Sequence, residues 1–428
     1  MRALLRSVSG WPLGRLAVLQ PSLVIIAVVL AQTWPRLAWP WQEWIQTSQQ
    51  FHEQLLLAAP IAAAAATYYA GRHAAPDRIA SQPWAPRAGM PIVLRHLRTL
   101  TIAFTISYLL GLLPLVAVTV ASADYGGPHV LIMLTGVVGL VAAITVGYLI
   151  GVLAGTAWLA PITLVVTFVL MQSPHIEAAL SAVTPVTHVP AALGETESVP
   201  LTWYRLGLFT LISVVAAVVA ARALARQHRW KVPSPTTAAA AALTALAVAV
   251  PLVSAPRLVT AEPAHPRLCR DVSGIEVCVH AGHRSQLPEI ANAVTRVRQV
   301  TGEGTWDLRR LRDTALATPV EDPRRPEATT GWIPIFPTND LGYYAASAVA
   351  YSLSGLDNCD IGDSGEVSEQ FSLAAELGDR LVRDAGFGLS PAEPSGRFDE
   401  ISVMQLRDWM RHHREMIHGC QLTTDQLP

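Results

Sequence analysis

The chain has 428 residues, of which 51% are hydrophobic and only 15% charged, against about 25% charged in an ordinary soluble domain; its mean hydropathy is +0.35. This composition excludes fibrous, disordered and nucleic-acid-binding classes as primary readings and points to a membrane protein. The net charge of −1 conceals segregation, since residues 1–255 hold long uncharged blocks while residues 256–428 have an ordinary polar composition.

The first fifteen residues read as an amphipathic helix lying on the inner membrane surface. Leu4, Leu5, Val8 and Trp11 fall at helical spacing, and Arg2, Arg6 and Arg15 are available for lipid head groups. Residues 16–255 then supply about seven stretches long enough to span a bilayer. They run from about Leu16 to Trp34, Glu53 to Gly71, Leu100 to Ala123, His129 to Ala154, Thr156 to Gln172, Trp203 to Leu224 and Ala238 to Ala255. No charge separates the fourth from the fifth, and only Gly155, Thr156 and Pro161 suggest a turn there.

Short-loop basic residues resist translocation and so set orientation. Arg2, Arg6 and Arg15, then Arg72, Arg78, Arg87, Arg95 and Arg98, then Arg222, Arg226, Arg229 and Lys231 all fall on one side, whereas Ser173 to Thr202 has none. The N-terminus is therefore expected in the cytoplasm and everything after Ala255 outside. The spans read as nearly bare of ionisable groups, with His52 and Glu53 as interfacial residues and Arg205 at a membrane edge. The Gly147, Gly151, Gly155 series reads as a close helix contact. Pro174 to Pro200 is apolar but broken by prolines, which suggests short half-buried helices.

After a Pro-rich linker, 256–266, residues 267–428 read as a mostly helical α+β extracellular domain. A hairpin is expected over Leu268–His280, with helices over Leu287–Val300, Tyr343–Ser354, Val367–Ala385 and Glu400–Gly419. All four cysteines, Cys269, Cys278, Cys359 and Cys420, lie here, as an oxidising exterior and two disulfides would produce. A two-residue loop at Ser273–Gly274 puts Cys269 opposite Cys278 and leaves Cys359 for Cys420. No metal site is expected. Cys278, His280 and His283 form a C-x-H-x-x-H string, but Cys278 is assigned to a disulfide, and His412, His413 and His418 lack the H-E-x-x-H order. Asp357, Asp360, Asp363 and Glu366 miss the calcium-loop spacing. The stretch from the basic RQHRWK string to Ala261 is similar to a signal peptide with a cleavage site, with permanent anchoring as the default.

The long inner loop between the second and third spans ends in Pro91–Leu100, where Ile92, Leu94 and Leu97 alternate with Arg95 and Arg98; this reads either as a short basic helix that docks on a soluble partner or as a lead-in of the chain back to the bilayer. With the amphipathic N-terminal segment and the apolar turn between the fifth and sixth spans, this layout resembles the permease subunit of ABC-2-type exporters over residues 1–225. The string CVHAGHRSQLPEI, Cys278–Ile290, is similar to one in the outer domains of some bacterial permease-like proteins. The resemblance implies a coupling helix bearing Ile92, Leu94, Arg95, Leu97 and Arg98, a homodimer or permease heterodimer in a bacterial plasma membrane, and a separate ABC ATPase. A seventh span and an outer domain depart from the usual six-span pattern. The chain cannot be the motor, because a phosphate-binding loop needs G-x-x-x-x-G-K-[ST] and the single lysine, Lys231, follows Trp230. No cofactor and no enzymatic activity are expected. The leading expectation is a permease-like subunit whose outer domain gates or recognises cargo; the alternatives are a membrane-anchored sensor or interaction protein, and an extracytoplasmic hydrolase.

Overall fold

The computed structural model describes residues 15–74, 89–187, 190–225, 235–254, 256–262, 266–302, 308–317, 329–359, 368–387 and 396–427. The expected amphipathic segment over 1–14, most of the basic loop after Arg72, and Asp360, Asp363 and Glu366 lie outside them. The bundle comprises α1 (Arg15–Leu37), the short α2 (Trp44–Glu53), α3 (Leu55–His73), α4 (Met90–Ser122), α5 (Val130–Ala154), α6 (Ala160–Ile176), α7 (Val199–Ala225) and α8 (Pro235–Ser254). Among the described residues five helices, α1, α4, α5, α6 and α7, are long and apolar enough to cross a membrane. The stretches expected as the second and seventh spans form α3 and α8. Among the described residues, α8 contributes the apolar stretch Ala242–Ser254. Ala58, Ala59, Ala62 and Ala66 of α3 are fully buried, so that helix meets other helices where a lipid-facing span would carry larger side chains.

Close approach explains the α3–α5 contact. A Cβ on Gly147 would lie 2.2 Å from the Ala63 carbonyl oxygen, and one on Gly151 would lie 2.4 Å from that of Thr67. Small residues let the backbones meet, and Thr67 Oγ1 then donates to the Gly147 carbonyl at 2.8 Å. Gly155 has a different job: at φ 62° it is the left-handed cap that ends α5. Thr156 caps the following turn and Pro161 sits in the first turn of α6, which divides the fourth stretch from the fifth. Gly147→Ala is expected to force α3 and α5 apart, costing about 1–3 kcal/mol as other overpacked cores do; thermal unfolding of the purified protein would measure it.

One expectation needs correction. Pro91–Leu100 is not a separate short helix, because α4 runs unbroken for 33 residues from Met90 to Ser122, about 50 Å at 1.5 Å per residue. Pro91 falls in the first turn, where its missing N–H disrupts nothing.

Residues 266–427 form an α/β layer with its own apolar core. The hairpin β3 (Arg267–Val272) and β4 (Ile275–His280) pairs Val272 with Ile275 and Cys269 with Cys278. Ser273 (φ 54°) and Gly274 (φ 77°) give the two positive φ values of a tight hairpin loop. The helix α9 (Leu287–Thr301) crosses over to β5 (Arg310–Asp313), which lies parallel to β4; β6 (Thr330–Ile333) adds a second parallel pairing. Ile290, Ala293, Val294 and Val297 form the fully buried stripe of α9. Against it pack α10 (Leu341–Leu353), α11 (Glu369–Asp384) and α12 (Val403–His412), with the short α13 (Arg414–His418) breaking off at His413. The expected linker is partly ordered structure: Val259–Ala261 forms β2 and pairs antiparallel with β1 (Glu195–Glu197), so Ala261 lies in a strand.

The cysteines are joined Cys269–Cys278 and Cys359–Cys420, with Cα separations of 4.1 and 5.2 Å. The second bridge spans 61 residues of sequence and ties the turn after α10 to the chain end. Serine at both Cys359 and Cys420 is expected to cost about 4 kcal/mol by the chain-entropy relation, read as a lower unfolding midpoint that reductant no longer shifts further for this bridge.

Candidate functional site

The short helix α2 is an unusual element to bury. Thr47, Ser48, Gln49, Gln50 and His52 are each at most 2% exposed, and polar groups removed from water need partners. Each of these side chains makes at least one such contact, although Gln49 Oε1 and His52 Nε2 accept or donate no hydrogen bond among the described residues: Thr47 shares a hydrogen bond with Thr119 of α4 (2.7 Å), Gln49 donates to Glu197 (3.0 Å), and Ser48 accepts from the His129 backbone (3.1 Å). This helix lies at the end of the bundle that carries the C-terminal domain, and two ionic centres are built around it.

The first centre joins bundle to domain. Glu43, just before α2, is buried and accepts from Gln46 Nε2 at 2.9 Å. His283, which is 1% exposed, lies between two carboxylates, with Nδ1 2.5 Å from Asp313 Oδ2 and Nε2 3.3 Å from Glu43 Oε1. Asp313 is fixed in turn by the backbone N–H groups of His280 (3.0 Å) and Ala315 (2.9 Å). Burial alone would push the His283 imidazole down, but hydrogen bonds to Asp313 and Glu43 and their charges overcome it and raise its pKa to about 9. At neutral pH the centre is an imidazolium held by one carboxylate from each part of the chain.

Neighbouring residues of the CVHAGHRSQLPEI string serve the same junction. His280 Nδ1 accepts from the Gly282 N–H (3.1 Å), and its ring meets Tyr125 edge-on at 4.9 Å. Tyr125 donates to Glu262 (3.3 Å), and Ser285 Oγ hydrogen-bonds Asp124. Gly282 admits Leu193, whose Cδ2 would stand 2.7 Å from a Cβ there; Glu289, by contrast, works inside the domain, accepting from the Gly342 N–H at 2.9 Å. A cavity of about 560 Å³ opens beside His283, lined by Glu43, Gln46, Leu193, Arg257 and Thr314 among others.

The second centre lies beside the first, where β1 leads into α7. Glu197 Oε1 accepts from Gln49 and stands 3.6 Å from Arg205 Nη1 and 3.7 Å from His52 Nε2; its Oε2 accepts from Thr202 at 3.1 Å. Arg205, 1% exposed, donates through Nη2 to the carbonyls of Thr184 (3.0 Å) and Pro185 (3.1 Å), and His52 Nδ1 donates to Pro185 at 2.7 Å. Burial raises the Glu197 pKa, but His52, Arg205 and the hydrogen bonds from Gln49 and Thr202 overcome that and hold it below the ordinary value. His52 and Arg205, read from the sequence as edge residues, are buried within the protein: the chain folds residues 184–187 and Glu197 over α2 and α7, which takes both side chains out of water. His96 of α4 is also buried, with Nδ1 2.8 Å from the Tyr148 hydroxyl.

The other expected positions are dispersed. In the first turns of α4, Arg95 and Arg98 are exposed, Leu94 is 54% exposed and Ile92 half-buried, while Leu97 is buried in the helix core beside Val93. Among the described residues the one grouping of metal-type ligands is Cys269, Glu276 and Cys278, and its two sulfurs are bonded to each other. His412 and His413 hydrogen-bond backbone carbonyls of their own helix and His418 pairs with Asn358, so the C-terminal histidines do not converge. The sequence missed both ionic centres. Their nearest signal is the acidic pair Glu195 and Glu197 shortly before Arg205, the single Lys or Arg between Ser173 and Ala221. Compared with family models, curated proteins and solved structures, the chain matches none.

Proposed function

We propose that the chain is the permease-like subunit of an ATP-driven exporter, and that its C-terminal domain gates or recognises cargo on the outer side. The observation that carries this reading is α4. The helix begins at the basic end with exposed Arg95 and Arg98, runs unbroken through the bundle, and is followed by Asp124 and Tyr125, which bond Ser285 and Glu262 at the domain junction. A rigid helix passes on a displacement that a flexible loop would absorb. A separate ATPase pushing on the Arg95 end would thus act directly on the domain. The positive-inside rule supports the same orientation, with the basic end cytoplasmic.

Copurification tests the reading. A separate ABC ATPase should copurify with the chain, and Arg95→Glu with Arg98→Glu should abolish that association and transport while leaving membrane insertion intact. Leu97 is unsuitable for the test because it is a core residue. Full transport by the double variant would remove the docking site, and failure of any ATPase to copurify with the wild-type chain would remove the exporter reading. The His283 centre favours one second reading, a membrane-anchored sensor whose domain position responds to external pH; such a protein would show pH-dependent docking with no ATPase attached.

A further inference from the structure

A second concavity lies on the flank of the bundle, at the end remote from the C-terminal domain. It is a groove of about 860 Å³ between α1, α3 and α6, lined by Pro21, Ala65, Tyr68, Trp158, Leu164 and Val165 among others. Its walls are almost wholly hydrocarbon, and it opens sideways from helices whose outer faces are apolar: Leu164, Val165, Val166, Val169 and Leu170 of α6 are 40–57% exposed. One end is different. Tyr68 and Trp158, 41% and 86% exposed, stand at the rim, as aromatic residues do at a membrane–water boundary. One turn beyond Tyr68, Arg72 is exposed; its Nη1 donates to the Tyr68 hydroxyl at 2.6 Å and its guanidinium lies 5.9 Å from that ring's centre. The cation is therefore fixed at the mouth of the groove, one side chain away from the apolar lining.

We infer that this groove is a binding site for one anionic diacyl phospholipid, with an acyl chain along the Ala65–Leu164 wall and the phosphate on Arg72. The chemistry is complementary at both ends. An acyl chain fills an apolar slot in which water would find few partners, and a guanidinium held by tyrosine offers its remaining N–H groups to phosphate in charge-assisted hydrogen bonds. A second copy of this chain would suit the apolar part, but among the described residues it would offer the exposed Arg72 no anion. The inference is independent of the exporter reading, since it needs a bilayer and no ATPase.

Native mass spectrometry of the full chain released from detergent tests it, with phosphatidylglycerol and phosphatidylcholine of identical acyl chains as probes. One phosphatidylglycerol per chain should be retained, preferred over phosphatidylcholine about fivefold, which corresponds to roughly 1 kcal/mol for one basic side chain at an anionic surface. Arg72→Gln should abolish the preference while keeping one lipid bound. Ala65→Trp, or Leu164→Trp should the first variant unfold, should fill the slot and remove both lipids. Glycerol phosphate should not compete. Equal retention of the two lipids by wild type, unchanged retention by a folded groove-filling variant, or a lipid-free dimer through α6 would each overturn the assignment.

Discussion

Replacing His283 with alanine is expected to undock the C-terminal domain from the bundle. The substitution leaves Glu43 and Asp313 buried, facing each other, with no cation between them. Breaking one member out of a buried ionic set costs about 3–5 kcal/mol, because the remaining charges keep their desolvation penalty and lose their compensation. In hydrogen exchange, amide protection of the 281–286 segment and of β1–β2 should fall by roughly two to four orders of magnitude. The wild-type protein should show the same change with pH. The folded-state pKa of His283 is raised to about 9 from 6.5, so its contribution is complete below about pH 6.5 and is lost as pH climbs through 9. The charged groups around it support that sign: Glu43 before α2 and Asp313 of β5 are both within 3.3 Å, and the shared cavity adds Glu195 and Arg257, which are exposed and therefore screened. Protection factors, corrected for the intrinsic rise of amide exchange with pH, that stay constant between pH 6.5 and 9 would show that the imidazolium does not hold the junction.

That junction also marks where sequence reading stops working. Local signals were strong where structure depends on adjacent residues. The apolar runs located the long helices, the Ser273–Gly274 loop fixed which cysteine faces Cys278, and Gly155 with Thr156 separated α5 from α6. Each of these is a matter of a few consecutive backbone angles. The start at Pro91 was legible for the same reason, since proline is a natural first-turn residue; what the sequence did not show was that the basic Pro91–Leu100 segment and the apolar run after it form one helix, Met90–Ser122.

Strands β5 and β6 were invisible for a different reason. Each has four residues, β5 reads Arg-Leu-Arg-Asp, and each owes its conformation to parallel pairing with a strand that is distant in sequence. The ionic centres are more remote still. Glu43 and His283 stand 240 positions apart, and Arg205 gives no sign in the sequence of whether its guanidinium faces water or Glu197. A charged residue at the edge of an apolar run is ordinarily interfacial. Here residues 184–187 and β1 close over it, and that closure is a tertiary event.

The Glu197–Arg205 pair therefore carries the second large prediction, in which two single substitutions and their combination behave differently. Glu197→Leu leaves the Arg205 guanidinium buried with the Thr184 and Pro185 carbonyls, and should cost about 3–5 kcal/mol; Arg205→Met leaves the Glu197 carboxylate buried with the donors Gln49 and Thr202 and should cost somewhat less. Combining Arg205→Met with Glu197→Leu should recover most of the loss, because replacing a whole buried ion pair with apolar groups of similar volume is often neutral. Detergent-solubilised thermal unfolding of the four proteins would complete the double-mutant cycle. The pH dependence has the opposite sign to that of His283. Glu197 is held below its ordinary value, so its stabilisation is present above the usual carboxylate range and fades as pH falls below it. Additive losses in the double variant would mean that the two side chains do not act as a pair. If they do, the position of β1 follows, since the backbone of Glu197 pairs with Val259 of β2 while its side chain is held by Arg205. The same residue then sets the register of the strand leading to the C-terminal domain and the seating of α7 in the bundle. A stable double variant that still undocks the domain would separate those two roles.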